Sequence, residues 1–408
     1  MFVGRKRELT MLRHQLAQTR GGRPMHFLVT GERGIGKSSL LNHVRTLASD
    51  SSDGLPFLVI NAELSPGTTT IGLLQKIEYE LRQELAKSEK TRSAITGVLE
   101  FVQRVEAGGF KINGAADREQ LVLEEFSDWL AHTAIRLTNQ ADRSRFDSQY
   151  CGVVILLDEA DKGSQANLGA TLKLLTERLQ RRGCQHVMFG LAGLPELSAV
   201  IAESHPSALR IFEELRLDRL EDAEVIEVID ACMDRANAEN PRQTAITLGA
   251  RDTLINLSEG YPHFIQQFGF SAFAADEDDV LDHDDVVRGA LGERGALELI
   301  GDRYYHDPFY NQIQADVYRQ VLRIMSDHLD DWVTKDELRS QFRGRGSTLD
   351  SALKALRERQ IIQSKIGERG VYRLQHKAFA LWIRLITTND AELRRELLLG
   401  ATVRDPRE

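Results

Sequence analysis

The sequence predicts an α/β fold in which a parallel sheet wrapped by helices spans residues 1–215. A helical region over 216–310 follows, and then a helix-and-hairpin region over 311–408. Three observations predict it. In the first half, short and almost wholly apolar runs alternate with helical text. After about residue 216 the apolar residues recur at helical spacing only. Toward the C-terminus, three helical segments precede two strand-like runs around a glycine turn.

Four runs predict the sheet: His26–Thr30, Pro56–Ile60, Gly152–Leu157 and His186–Leu191. Runs this short and this apolar, separated by helices, are how strands buried on both faces of a parallel sheet read. Residues 75–150 interrupt the rhythm. They hold helical text at 71–87 and 118–139 around a glycine-rich stretch, 108–114, and read as an insertion of helices with a hairpin. From 217 onward, Leu217, Leu220, Val225, Ile226 and Ile229 predict one helix, and a second begins near Ala250. Gly260-Tyr261-Pro262 stops the second helix and starts the next. Asp276 to Asp285 holds seven acidic residues in ten positions and reads as a solvated loop and helix start. Helices are then expected at 317–325, 334–342 and 349–359, the last capped by Ser347 or Thr348. Strands at 361–366 and 371–374 complete the pattern of a winged helix, a variant of the helix-turn-helix.

Composition bounds the function. Lys plus Arg is 52 and Asp plus Glu is 61, a net charge of −9, which excludes a uniformly basic nucleic-acid coat. No apolar run approaches the ~20 residues of a membrane span, and the N-terminus has no secretory pattern. The three cysteines are far apart and form neither a metal-ligand spacing nor a disulfide framework. A cytoplasmic protein is expected.

Gly31-Glu32-Arg33-Gly34-Ile35-Gly36-Lys37-Ser38 matches G-x-x-x-x-G-K-[ST] without a mismatch, after a predicted strand and before a predicted helix. Glycines let backbone N–H groups curl into a nest, and the helix that follows, through Ser39, turns its positive end to the same point. Lys37 is placed to reach the β- and γ-phosphates of ATP or ADP, and Ser38 to ligate Mg²⁺. The apolar run 153–157 ends in Asp158-Glu159. This puts two carboxylates at the carboxyl edge of the sheet, Asp158 for Mg²⁺ and Glu159 for the attacking water. The same residues can also open a helix. A slow, Mg-dependent ATPase is the expected activity.

These motifs, together with Phe2-Val3-Gly4-Arg5 at the start and Leu157-Asp158-Glu159-Ala160-Asp161, resemble the AAA+-type P-loop ATPases of the STAND and origin-recognition-like (ORC-like) groups. The likeness covers roughly residues 1–300, and a C-terminal winged helix is usual in that family. The resemblance implies that ATP lies between the α/β domain and a helical lid. It implies that Val3 and Arg5 sit near the adenine, that Pro262 packs near the base, and that Arg210 (Arg216 second) serves as an arginine finger for a neighbouring subunit. Two departures stand out. The fourth strand ends in Ala192-Gly193, where relatives place a polar sensor, and His263 stands where initiators often carry an arginine. Both favour a switch over a fast motor.

Residues 310–384 carry 14 Lys plus Arg against 9 Asp plus Glu, a local +5. Lys354, Arg357, Lys365 and Arg369 are candidates for contacts to double-stranded DNA. Packing or protein contact is the alternative use of the same domain. A protein partner or effector in trans, a homo-oligomer and no membrane partner complete the expectations.

Overall fold

The computed structural model describes residues 2–52, 54–87, 115–139, 149–306, 309, 316–329, 331–359, 361–365 and 367–387. The glycine-rich stretch expected to form a hairpin lies outside them. The chain divides into two compact units, residues 1–218 and 219–408.

The first unit is built in the order α1 (Lys6–Arg20), β1 (His26–Gly31), α2 (Lys37–Ser49), β2 (Phe57–Glu63), α3 (Thr70–Ala86), α4 (Ala115–Thr138), β3 (Gly152–Asp158), α5 (Leu168–Arg181), β4 (Val187–Gly193), α6 (Leu197–Ser204) and β5 (Phe212–Leu217). The five strands form one sheet in the order β2-β3-β4-β1-β5. Every pairing is parallel. β1, β2, β3 and β4 are almost continuously buried, as sheets covered on both faces require. Successive side chains alternate between the faces. Leu28, Ile60, Ile155 and Phe189 join the core formed with α3 to α6, while Phe27, Val59, Val154 and Met188 are buried outside that cluster. Helices α3 and α4 are part of this core: Leu73, Ile77, Phe126 and Leu130 are fully buried in it. Arg178 and Arg182 of α5 pair with Glu124 and Asp128 of α4.

β5 departs from the expectation of helix at Leu217. Its sequence, Phe-Glu-Glu-Leu-Arg-Leu, lies at the sheet edge with only Leu215 and Leu217 buried. Helical text begins at Asp222 instead.

His26 is buried and its Nδ1 accepts the Phe189 N–H at 3.0 Å. Burial lowers its pKa to about 4. The unfolded chain therefore binds a proton below pH ~6.5 that the folded chain refuses until about pH 4, so stability falls as pH drops through this window. Denaturant unfolding should lose about 2 kcal/mol from this residue between pH 7.5 and 5. His26→Gln, whose amide oxygen can accept the same N–H, should flatten that slope.

The second unit opens with α7 (Asp222–Glu239), β6 (Ala245–Ile246), α8 (Leu248–Ser258), α9 (Pro262–Ala275), β7 (Val280–Leu281), α10 (His283–Leu291) and α11 (Ala296–Ile300). A π-helical turn follows at Gly301–Tyr305. Next come α12 (Asp316–Ser326), β8 (Val333–Thr334), α13 (Lys335–Gln341), α14 (Gly346–Glu358), β9 (Ile362–Ser364), β10 (Val371–Leu374) and α15 (Lys377–Thr387). Reciprocal capping boxes start α10, from Asp282 and Asp285, and α13, from Thr334 and Glu337. The start of α14 corrects the sequence reading: its N-cap is Arg345, with no side-chain cap, and Ser347 and Thr348 lie inside the first turn. β9 and β10 form the expected antiparallel hairpin, and β8 adds a third strand against β10. From α12 to β10 the elements follow the order expected of a winged helix.

Candidate functional site

The site is built at the carboxyl ends of β1, β3 and β4. β1 ends at Gly31, and the chain turns through the phosphate loop into α2. Gly34 and Gly36 have φ of 82° and 100°, a left-handed region that side chains enter only at a cost. A Cβ at Gly31 would lie 2.9 Å from both Ile35 Cγ2 and Leu217 O. Lys37 folds back over this loop and donates through Nζ to Gly31 O and Glu32 O, each at 2.9 Å. Burial pushes the Lys37 pKa down. The charges of Asp161, Glu159 and Asp158 pull it back up, and Arg33 lowers it further. Ser38 and Ser39 are exposed on the first turn of α2. Arg5, with φ of 57°, is buried and donates to Ile35 O at 3.3 Å. Arg5 is thus tied to the phosphate loop, and Val3 is half-buried nearby in sequence.

β4 lies between β1 and β3. Two strand spacings, about 10 Å, therefore separate β1 from β3. Asp158 Oδ1 accepts the Glu159 N–H at 2.8 Å. Glu159 has φ of 53°, a left-handed conformation uncommon for a non-glycine residue. Its carboxylate pairs with Lys162 Nζ at 2.8 Å. Ser38 and Asp158 line one cavity of about 740 Å³ together with Asn61, Glu63, Lys76 and Tyr79. This cavity brings the two expected metal ligands together. A hydroxyl and a carboxylate are hard oxygen donors, as Mg²⁺ requires. Among the described residues no cluster of three or more His, Cys, Asp or Glu could hold a metal ion. Two such donors leave further positions for waters and phosphate oxygens, as Mg²⁺ sites commonly have.

Sequence reasoning gave Asp161 and Lys162 no role. Asp161 Oδ1 accepts the Leu194 N–H, just beyond β4, at 3.0 Å. It fills the space where a side chain on Gly193 would project: a Cβ there would lie 2.7 Å from Asp161 Oδ1. The missing polar residue at the end of β4 thus has a steric reason, and Asp161 supplies the carboxylate at that place. Gly193→Ala should destabilise the fold by about 1–3 kcal/mol by overpacking, measurable by urea unfolding. Asn61 and Glu63 were also missed, because their approach to Asp158 depends on the β2–β3 register, which pairs Glu63 with Asp158.

Other expected residues stand apart from this constellation. Arg210 is exposed in a 3₁₀ turn, Pro206–Ile211, at the amino end of β5. That end of the sheet is opposite its own phosphate loop, about 20 Å along the strand. Arg216, near the carboxyl end of β5, is highly exposed and lies 3.7 Å from Asp218. Pro262 begins α9 in the second unit, behind the fully buried Tyr261. His263 contacts Arg303 at 3.3 Å.

A phosphate loop on β1, an acidic pair ending β3 and a parallel sheet that interposes β4 define a P-loop ATPase. Residues 1–189 match the family model of the AAA ATPase domain, and this part of the chain is an AAA ATPase domain. Two solved structures share the fold. One is a Walker-type ATPase of Pyrococcus abyssi, with 13% identity and a TM-score of 0.54, covering 94% of this chain and 96% of that one. The other is the ORC2 protein of Aeropyrum pernix, described as ADPNP–ADP complexes. It has 15% identity and a TM-score of 0.53, covering 98% of this chain and 93% of that one. A search of curated proteins found no match. The chain is thus an ATPase with an ORC-like fold. Among the described residues no helix is long and apolar enough to cross a membrane.

Proposed function

We propose that the protein is a slow, switch-type ATPase of the STAND kind that acts on a protein partner. The observation that carries this reading is the ion pair between Glu159 and Lys162 at 2.8 Å. The pair orients the Glu159 carboxylate toward Lys162, and in this reading the side chain turns to the attacking water before turnover. In this reading the backbone N–H groups of Gly31 to Lys37 cradle the phosphates and Lys37 neutralises them. Ser38 and Asp158 hold Mg²⁺, and Ser39 extends the helix start. Mg²⁺ there would offset phosphate charge during the displacement. Glu159 orients the water and accepts its proton. Arg5 and Val3 border the base. Arg210 serves the nucleotide of a neighbouring copy, since it is remote from its own. ATP and ADP would then favour different states of the chain, with the shift set by their differential affinity. Lys162→Ala tests the carrying observation: release of Glu159 should raise the steady-state rate several-fold, and an unchanged rate would remove the support for a gated glutamate.

A second reading is an ATP-controlled DNA binder of the initiator or loader kind, and exposed cations favour it. Arg343, Arg345 and Arg357 are exposed on α14 and the turn before it, and Arg369 is exposed in the β9–β10 turn. The field is weaker than the sequence count suggested, because Lys365 pairs with Glu368 at 2.7 Å and Lys354 lies 3.8 Å from Glu358. Arg373 is stacked over the Trp332 ring at 4.6 Å. In this reading log K falls steeply with log salt, and Arg357→Ala lowers the slope by about 1. Binding to duplex DNA that is flat with salt would remove it.

A further inference from the structure

Arg219, the first residue of the second unit, is tied to two turns far along the chain. Its three guanidinium nitrogens each have their own acceptor. Nε donates to Tyr261 Oη at 3.2 Å, Nη1 to Glu259 Oε1 at 3.3 Å and Nη2 to Gln375 O at 3.3 Å. The guanidinium also lies 4.9 Å from the centroid of the Tyr261 ring. Glu259 completes the tie, since its Oε2 accepts the Lys377 N–H at 2.7 Å. That N–H opens α15 and has no acceptor inside the helix, and the helix dipole favours a carboxylate there. His376, between the two tied residues, packs edge-on to the Tyr261 ring at 4.6 Å. One ion pair thus joins the β10–α15 turn to the turn between α8 and α9. The Glu259 side chain is only 10% exposed, so water competes little for the pair.

In the other direction, Arg219 follows the end of β5 at Leu217 with only Asp218 between them. Leu217 pairs in register with Gly31, where the phosphate loop begins. Its carbonyl stands 2.9 Å from where a Cβ on Gly31 would project. A displacement of Gly31 by a bound phosphate is passed to Leu217, because close packing leaves no gap to absorb it. On the far side of Arg219, the Leu220 N–H donates to Gly260 O at 2.9 Å, so the junction is held to the same turn by backbone as well as by side chain. We infer that Arg219 couples the phosphate loop to the C-terminal helix-and-hairpin region. Nucleotide at the loop shifts the balance between a state in which the Arg219–Glu259 pair holds the β10–α15 turn and one in which the turn is released. The inference rests on nucleotide binding at the loop and adds the route by which the switch reports its state. Lysine cannot make this tie, since a single ammonium does not reach three separate acceptors that a planar fork reaches at once.

Hydrogen–deuterium exchange of the full chain, read by mass spectrometry over residues 374–382, tests it with and without a saturating non-hydrolysable ATP analogue. In the wild-type chain the analogue should change exchange in this segment by about fivefold or more, the lower end of measured couplings. In Arg219→Lys the segment should exchange about tenfold faster without nucleotide, the scale of one lost charge-assisted hydrogen bond, and the analogue should no longer change it. Truncating Arg219 alone would leave Glu259 buried and unpaired, at a cost to the fold. Arg219→Met with Glu259→Gln avoids this: it removes both charges and keeps an acceptor for the Lys377 N–H. The segment should then stay protected and lose only its response to nucleotide, which a merely stabilising pair would not produce. Exchange over residues 31–38 reports binding in the same experiment. Protection there with no change over 374–382 in the wild-type chain would overturn the inference alone. No protection at the loop would overturn its assignment and the inference together. A full wild-type response in both variants would overturn the role of Arg219.

Discussion

Glu159→Gln should abolish turnover while leaving nucleotide binding intact. The amide keeps the size of the side chain and its left-handed backbone position, but it cannot accept a proton. Losses of about 10²–10⁴-fold are the range for removing a positioned general base. Steady-state phosphate release and titration with a fluorescent ATP analogue separate the two effects. Affinity should stay within about twofold of wild type, and bound ATP should persist uncleaved. Normal turnover would take the catalytic role from Glu159. Asp161, whose charge acts most strongly on Lys37, would then be the carboxylate to examine.

Lys37→Ala should remove nucleotide binding. In the absence of nucleotide, the Lys37 ammonium is satisfied by Gly31 O and Glu32 O, and its charge is held by three carboxylates against burial. Phosphate oxygens offer it stronger acceptors than these carbonyls. A charge-assisted hydrogen bond contributes about 1.5–3 kcal/mol, so affinity should fall by roughly 10- to 150-fold from that bond alone. Loss of the charge deepens the effect. The side chain is only partly buried and crosses no core layer, so the melting temperature should change little. Isothermal titration with ATP and with ADP checks the affinity, and wild-type binding would contradict the assignment of the loop.

The phosphate loop was legible because its chemistry is local. Backbone turns, glycines and a lysine within eight residues define it, and no distant contact is needed. Four strands were legible for a related reason: burial on both faces writes itself as an unbroken apolar run. β5 was not, because an edge strand with half its residues in water carries Glu213, Glu214 and Arg216 and shows no unbroken apolar run. β6, β7 and β8 are two residues long, too short for any period to register. The strand order, and with it the position of Gly193 between the loop and the acidic pair, depends on contacts across more than a hundred residues. Asp161 and Lys162 lay in plain view beside Glu159. Their placement follows from the 3₁₀ turn Ala160–Lys162, which brings Lys162 to the Glu159 carboxylate three residues before it. The basic count over 310–384 overstated the free charge, since ion pairs and a stacked ring occupy part of it.

The most direct test of the central claim is the steady-state rate of ATP hydrolysis by the purified protein, with Mg²⁺ at fixed salt, in the presence and absence of duplex DNA. The account predicts slow hydrolysis that depends on Mg²⁺ and is unchanged by DNA, leaving a switch that answers to a protein. Rapid hydrolysis, or stimulation of several-fold by DNA, would contradict it and make the C-terminal helices and hairpin a DNA contact.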